Sequence, residues 1–179
     1  FANPPDITGS LSFYVKVLEN GAMSEYVAHR ARSGDEMQIT GPFGHFYLRS
    51  PVRPIVMVAG GTGLAPMLSM FDHMTGSGDT DQTIRLLYGA NTRDELFALD
   101  HLSGIALALT TEFAVVTEAS GWDGHVGHVT ELLDPEQLAG GDIDVYLCGP
   151  PPMIETAEAW LLENGVDAGR IHAEKFLPS

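Results

Sequence analysis

The spacing of apolar and polar positions changes near residue 50. Beyond that point, short apolar runs alternate with helix-like spacings. Ile55 to Ala59 is an unbroken apolar run set between proline and glycine, the pattern of a strand covered on both faces. Leu64 to Met74 carries its apolar residues at helical spacing. The alternation continues with strands expected at Thr83 to Tyr88, Glu112 to Thr117, Asp144 to Cys148 and Arg170 to Lys175. Helices are expected between them at Asp94 to Leu102, Val129 to Leu138 and Pro152 to Asn164. This order predicts an α/β domain over residues 51–179, a five-stranded parallel, doubly wound sheet with right-handed crossovers.

Residues 1–50 follow another pattern. Leu11 to Leu18 has the aromatic and β-branched content of a strand. Glu36 to Thr40 is a second strand signal, closed by the turn Gly41-Pro42-Phe43-Gly44, and Ser24 to Arg32 has helical spacing. Two or three strands cannot enclose a core. The segment is therefore expected to be the later part of an antiparallel β-barrel domain whose first strands lie outside this chain.

Composition narrows the function. Of the 179 residues 44% are apolar, enough to bury a core. Nine Lys+Arg against 24 Asp+Glu give a net charge of −15, which argues against nucleic acid as a partner and leaves a basic protein patch as a suitable one. No apolar run approaches the ~20 residues of a membrane span. The start, Phe1-Ala2-Asn3-Pro4-Pro5, has neither the basic head nor the apolar stretch of a signal peptide, and no initiator Met. A cytoplasmic protein of greater length is the expectation. Cys148 is the sole cysteine, so neither a disulfide nor a four-cysteine metal site can form within the chain. His125 and His128 have no third ligand nearby in sequence, and no metal site is expected there.

Two turns carry candidate chemistry. Gly60-Gly61-Thr62-Gly63 joins the first strand of the α/β region to its helix, with Pro66 where a Rossmann fingerprint would have its last glycine. Such a turn lets backbone amides approach a phosphate at a helix N-terminus. It is not a Walker loop, because no Gly-Lys-Ser/Thr ending follows. Taken alone it reads equally well as a tight structural turn. Cys148-Gly149-Pro150-Pro151-Pro152-Met153 follows the fourth strand; its prolines stiffen the loop and suit the first turn of the next helix. Taken alone, Cys148 reads as a buried structural thiol.

The two turns together resemble the ferredoxin–NADP reductase superfamily, and within it the NADH-dependent reductase components of bacterial ring-hydroxylating dioxygenases of the benzoate type. Gly41 to Leu48 looks like that family's last barrel strand and exit, Asn20-Gly21-Ala22-Met23-Ser24 like its flavin-pyrophosphate turn, and Glu174-Lys175-Phe176 like its C-terminal signature. The resemblance implies that Gly60, Gly61, Thr62, Gly63 and Pro66 hold NAD, with Tyr88 on the second strand and Gly149, Pro150, Pro151 and Met153 shaping the nicotinamide pocket. It implies that Gly21, Met23 and Ser24 lie at the FAD pyrophosphate, Tyr14, Val15 and Lys16 along its adenosine, and Phe176 over its ring. Thr62, Cys148, Glu174 and Phe176 are the residues expected at the site of hydride transfer.

In NADP-dependent relatives a Ser-Arg pair ends the third strand. Here Thr117-Glu118 stands there, and a carboxylate at Glu118 favours NADH, with Arg93 the one nearby cation against it. The family's Arg-x-Tyr-Ser flavin motif would directly precede Phe1. No ferredoxin-type cysteine set is present, so a [2Fe-2S] centre would belong to a segment outside this chain. The implied function is hydride transfer from NADH to FAD, then single electrons to the iron–sulfur centre and a terminal oxygenase. A flavin or haemoprotein reductase of the same superfamily is one alternative, and a non-catalytic dinucleotide-binding module is another.

Overall fold

The computed structural model describes residues 1–5, 9–50, 52–78, 81–117 and 120–176. Its centre is a parallel sheet of six strands: β1 (Ile55–Gly60), β2 (Thr83–Ala90), β3 (Ala108–Val115), β4 (His125–Val126), β5 (Asp144–Gly149) and β6 (Ile171–Lys175). The order across the sheet is β4-β3-β2-β1-β5-β6. The α-helices are α1 (Ala22–His29), α2 (Leu64–Ser77), α3 (Leu99–Gly104) and α4 (Pro151–Glu163).

The side-chain alternation of β1 explains the two cores. Ile55, Met57 and Ala59 face a cluster with Leu68, Phe71 and Met74 of α2. Val56 and Val58 face the opposite cluster, with Ile154, Ala157 and Leu161 of α4. A strand covered on both faces in this way is apolar throughout, as its sequence is. The chain moves from β1 to β2 and β3 on one side, then returns to place β5 on the other side of β1. The topology therefore switches between β1 and β5, and a crevice opens beyond their carboxyl ends.

Several expected elements differ. The sheet has six strands rather than five; β4 is a two-residue edge strand, too short to leave a sequence pattern. β3 spans Ala108–Val115, so Thr117 lies two residues past its end. The helix expected over Val129 to Leu138 is instead a series of 3₁₀ turns, at Val129–Leu132, Pro135–Gln137 and Ala139–Gly141. Pro135 has no N–H to continue a helix, and it holds Asp134 in an extended conformation (φ −132°, ψ 123°). The helix expected over Asp94 to Leu102 is interrupted at Ala98, whose φ is +57°.

The described part of residues 1–50 contains α1 but no paired strand. Leu11 to Leu18 and Glu36 to Thr40 have no ladder partners among the described residues, so the antiparallel barrel strands expected there are not formed as strands. A strand exists only through its neighbours; here Ala2 N–H donates to Ser12 O (2.8 Å) and Ser12 N–H to Asn3 Oδ1 (2.7 Å), turn contacts rather than a ladder. Other bonds join the segment to the sheet. Arg53 Nε donates to Asp142 Oδ1 at 2.7 Å, Arg170 Nη1 meets the same oxygen at 2.6 Å, and the Tyr146 hydroxyl accepts from Arg49 N–H at 2.9 Å. The expected domain boundary falls at Pro51, outside the described residues.

Candidate functional site

The two turns singled out in the sequence meet beyond the carboxyl ends of β1 and β5, and they interlock through glycines. A Cβ on Gly63 would overlap the Cys148 carbonyl oxygen and stand 3.0 Å from Gly149 N. A Cβ on Gly60 would come within 2.8 Å of both Met153 Sδ and Pro150 Cδ. Gly149, at φ +155°, would in turn press a Cβ to 3.0 Å from Gly60 N. At Gly63 and Gly149 the backbone of the other turn occupies the space, and at Gly60 the Met153 and Pro150 side chains do. Gly61 differs: its φ is +53° and nothing lies within 4 Å of its would-be Cβ. The turn thus presents an open, left-handed position between two packed ones, leaving room for a ligand to approach its amides.

β6 brings in the remaining candidates. Glu174 pairs in register with Cys148, and Lys175 with Gly149. Phe176 N–H donates to Gly149 O at 2.9 Å, which fixes the residue after the strand beside the second turn. Lys175 Nζ is anchored on Glu155 Oε1 at 2.9 Å. Cys148 is wholly buried, and burial, with the Glu174 carboxylate adding to it, pushes the thiol far above its ordinary range. It is a neutral, unreactive group. Thr62, Pro66, Glu174 and Phe176 line a cavity of about 170 Å³ whose far wall is Phe13 and Tyr14. A wider groove of about 670 Å³ adjoins it, between α2 and the 42–48 segment; Pro66, Ser69, Met70 and His73 form its α2 wall and Phe43 and Tyr47 stand opposite.

Thr62, Cys148, Glu174 and Phe176 are therefore gathered at one place, as are Gly60, Gly61, Gly63, Pro66, Gly149, Pro150 and Met153. Pro151 opens α4. Tyr88 is not with them. It is fully buried within β2, its hydroxyl accepts from Phe97 N–H at 3.3 Å, and its ring packs against Phe97 and Phe113. Being enclosed in the core pushes its phenol up to about 12. Glu118 lies outside the described residues.

On the flavin side, Ser24 is buried and its hydroxyl is already engaged: it accepts from Leu18 N–H and can donate to Gly21 O, both at 3.1 Å. Gly21 precedes α1, and Met23 and Val15 are exposed. Lys16 Nζ meets Glu95 Oε2 at 3.1 Å, and Tyr14 packs against Phe97 while also lining the smaller cavity. Glu95 and Phe97 fall within the helix expected over Asp94 to Leu102; an aromatic two residues after a carboxylate, in a loop leaving a parallel strand, was the available signal for them. His125 Nε2 meets Glu131 Oε2 at 2.9 Å, while Glu131 Oε1 accepts His128 N–H at 3.0 Å. That histidine pair is a capping arrangement, and no group of three potential metal ligands occurs among the described residues.

Residues 57–159 match the oxidoreductase NAD-binding domain, and residues 1–47 match the oxidoreductase FAD-binding domain. The chain belongs to the oxidoreductase NAD-binding domain family. Among curated members related to it, the 2-halobenzoate 1,2-dioxygenase electron transfer component of Burkholderia cepacia is 41% identical over 94% of this chain and 51% of its own length. The anthranilate 1,2-dioxygenase electron transfer component of Acinetobacter baylyi is 38% identical over 100% of the chain and 53% of its own length. The chain thus spans about half the length of these relatives. A solved ferredoxin reductase of carbazole 1,9a-dioxygenase superposes with a TM-score of 0.86 at 28% identity, over 98% of this chain and 54% of that one. No helix among the described residues is long and apolar enough to cross a membrane.

Proposed function

We propose that this chain is the dinucleotide-binding half, with part of the flavin-binding half, of an NADH-dependent reductase that feeds electrons to an aromatic-ring dioxygenase. The observation that carries this reading is the interlock of Gly60–Gly63 with Cys148–Met153 at the β1/β5 switch point, with Glu174 and Phe176 held beside it. Residues 1–50 form the flavin side and 51–179 the dinucleotide domain. When bound, NADH and FAD supply hydride and electron transfer, which then continues to a [2Fe-2S] centre on another segment or protein.

The chain's own residues bind, align and exclude water. Open amides at Gly61–Gly63 meet the dinucleotide at the start of α2, where the helix dipole favours phosphate. The buried, neutral Cys148 and the rigid Pro150-Pro151-Pro152 loop form one wall of the nicotinamide pocket. Glu174 supplies a carboxylate at that wall. Phe176, which is 38% exposed, covers the face to which the nicotinamide must gain access. The cavity between Thr62 and Tyr14 suits a planar ring held between the two halves. No side chain here is needed as nucleophile or general acid.

The test is anaerobic mixing of the full-length reductase with NADH, following flavin absorbance. Rapid bleaching is expected. In Phe176→Ala the nicotinamide dissociation constant should fall, because the covering ring no longer competes for the face. No bleaching with either NADH or NADPH would refute the reading.

A further inference from the structure

Tyr146 is buried to 1% exposure in the middle of β5, and a buried phenol hydroxyl needs a partner. That partner is a backbone amide from the flavin-side segment: Arg49 N–H donates to it at 2.9 Å, across 97 positions of sequence. The ring is gripped on two further sides. Phe46 meets it edge-on, with centroids 6.0 Å apart at 79°, and His172 of β6 lies against it at 5.0 Å. Arg49 is held in turn, its guanidinium 3.5 Å over the Tyr47 ring and its Nη2 on His45 O at 3.3 Å. The exit of the flavin-side segment, residues 45–49, is thus fastened to the dinucleotide sheet at Tyr146.

The same strand carries the site. Tyr146 and Cys148 face one core cluster, two positions and roughly 7 Å apart along β5. In register beside them on β6 stand His172 and Glu174. Phe46 and Leu48 pack against that cluster too, and with Glu174 they line the wider groove. Where the exit segment sits on Tyr146 therefore sets how far its wall stands from Glu174. We propose that Tyr146 is a positioning residue that holds the flavin-side half in register with the Cys148–Glu174 end of β5 and β6; its catalytic consequence rests on the function proposed above. Tyr146 lines neither cavity, so it acts through the Arg49 amide and Phe46. Transfer between rings held by two different halves is steep in distance, and a misplacement of about 1 Å can cost on the order of 100-fold.

Tyr146→Phe keeps the ring and removes the acceptor. Val166→Ala, in the opposite core, is the control for lost stability alone. In the 179-residue chain without cofactor, hydrogen exchange of the Arg49 amide, followed by NMR, should be about tenfold faster in Tyr146→Phe, beyond any change in the amides of β1. That is the equivalent of ~1.4 kcal/mol, in the range for an amide left unpaired. In Val166→Ala the Arg49 amide should change no more than β1 does. In the full-length reductase, the limiting rate of flavin reduction by NADH should fall about tenfold in Tyr146→Phe with the NADH dissociation constant unchanged, and Val166→Ala should alter neither. Unchanged Arg49 exchange in Tyr146→Phe, a limiting rate equal to the parent's, or the same fall in Val166→Ala would overturn the proposal. So would weaker NADH binding at an unchanged limiting rate, because Tyr146 would then shape the pocket itself. A parent that reduces no flavin with NADH or NADPH counts against the proposed function alone; the Arg49 amide then still decides the joint.

Discussion

Gly63 lies against the carbonyl of Cys148 so closely that a Cβ on it would overlap the oxygen. This contact joins the first turn of the site to the second, backbone to backbone, with no flexible side chain between to give way. Gly63→Ala should therefore cost at least ~3 kcal/mol, the upper part of the range for overpacking. Gly61→Ala meets no atom and is strained only by its φ of +53°, so ~1 kcal/mol is expected. Urea denaturation midpoints of the two variants check the contrast, and equal losses would show that the turns are not locked together.

Cys148 offers a test of burial through pH. Its folded thiol is pushed up by burial, while an unfolded cysteine ionises near about 8.5. The unfolded state therefore loses its proton first as pH rises. The thiol's contribution to stability is full below about pH 8.5 and declines above it. Cys148→Ala should flatten the stability profile between about pH 8.5 and 10, before tyrosines such as Tyr88 begin to contribute. In the native chain the thiol should not react with a disulfide reagent at pH 8, and it should react fully in denaturant. Rapid native labelling would mean that the crevice opens far more than the packing around Cys148 suggests.

Cofactor choice is testable at Glu118. The preceding residue, Thr117, donates its N–H to Asn91 O, just past the end of β2. In the full-length reductase, Glu118→Arg should raise kcat/KM for NADPH relative to NADH by about tenfold or more, the effect of a charge-assisted hydrogen bond of ~1–3 kcal/mol. An unchanged ratio would place the 2′ position of the ribose elsewhere.

Much of this architecture could be read from the residues because parallel strands announce themselves. The apolar runs at Ile55–Gly60 and Asp144–Gly149 left little choice, and glycine and proline marked both turns. What escaped was decided by partners. Leu11 to Leu18 has strand composition, yet no neighbouring strand pairs with it among the described residues. Pro135 broke a helix that apolar spacing alone suggested. Tyr88 lies one position before the glycine at the end of a strand leading to the crevice, but its side chain points into the core, and a sequence shows position more readily than direction. Ser24 has the residue type of an anion contact, while its hydroxyl is used by the Leu18–Gly21 turn. The contact of Lys16 with Glu95 joins two segments far apart in the chain, and no local pattern encodes it.

The central claim is that the two interlocked turns hold one nicotinamide dinucleotide. Titrating the isotopically labelled 179-residue chain with NAD⁺ and following its backbone amide resonances tests this most directly. The amides of Gly61, Thr62, Gly63 and Gly149 should shift together along one binding curve, with Lys175 and Phe176 moving in step because they pair with Gly149. Shifts confined to one turn, or movement elsewhere with both turns still, would contradict the account.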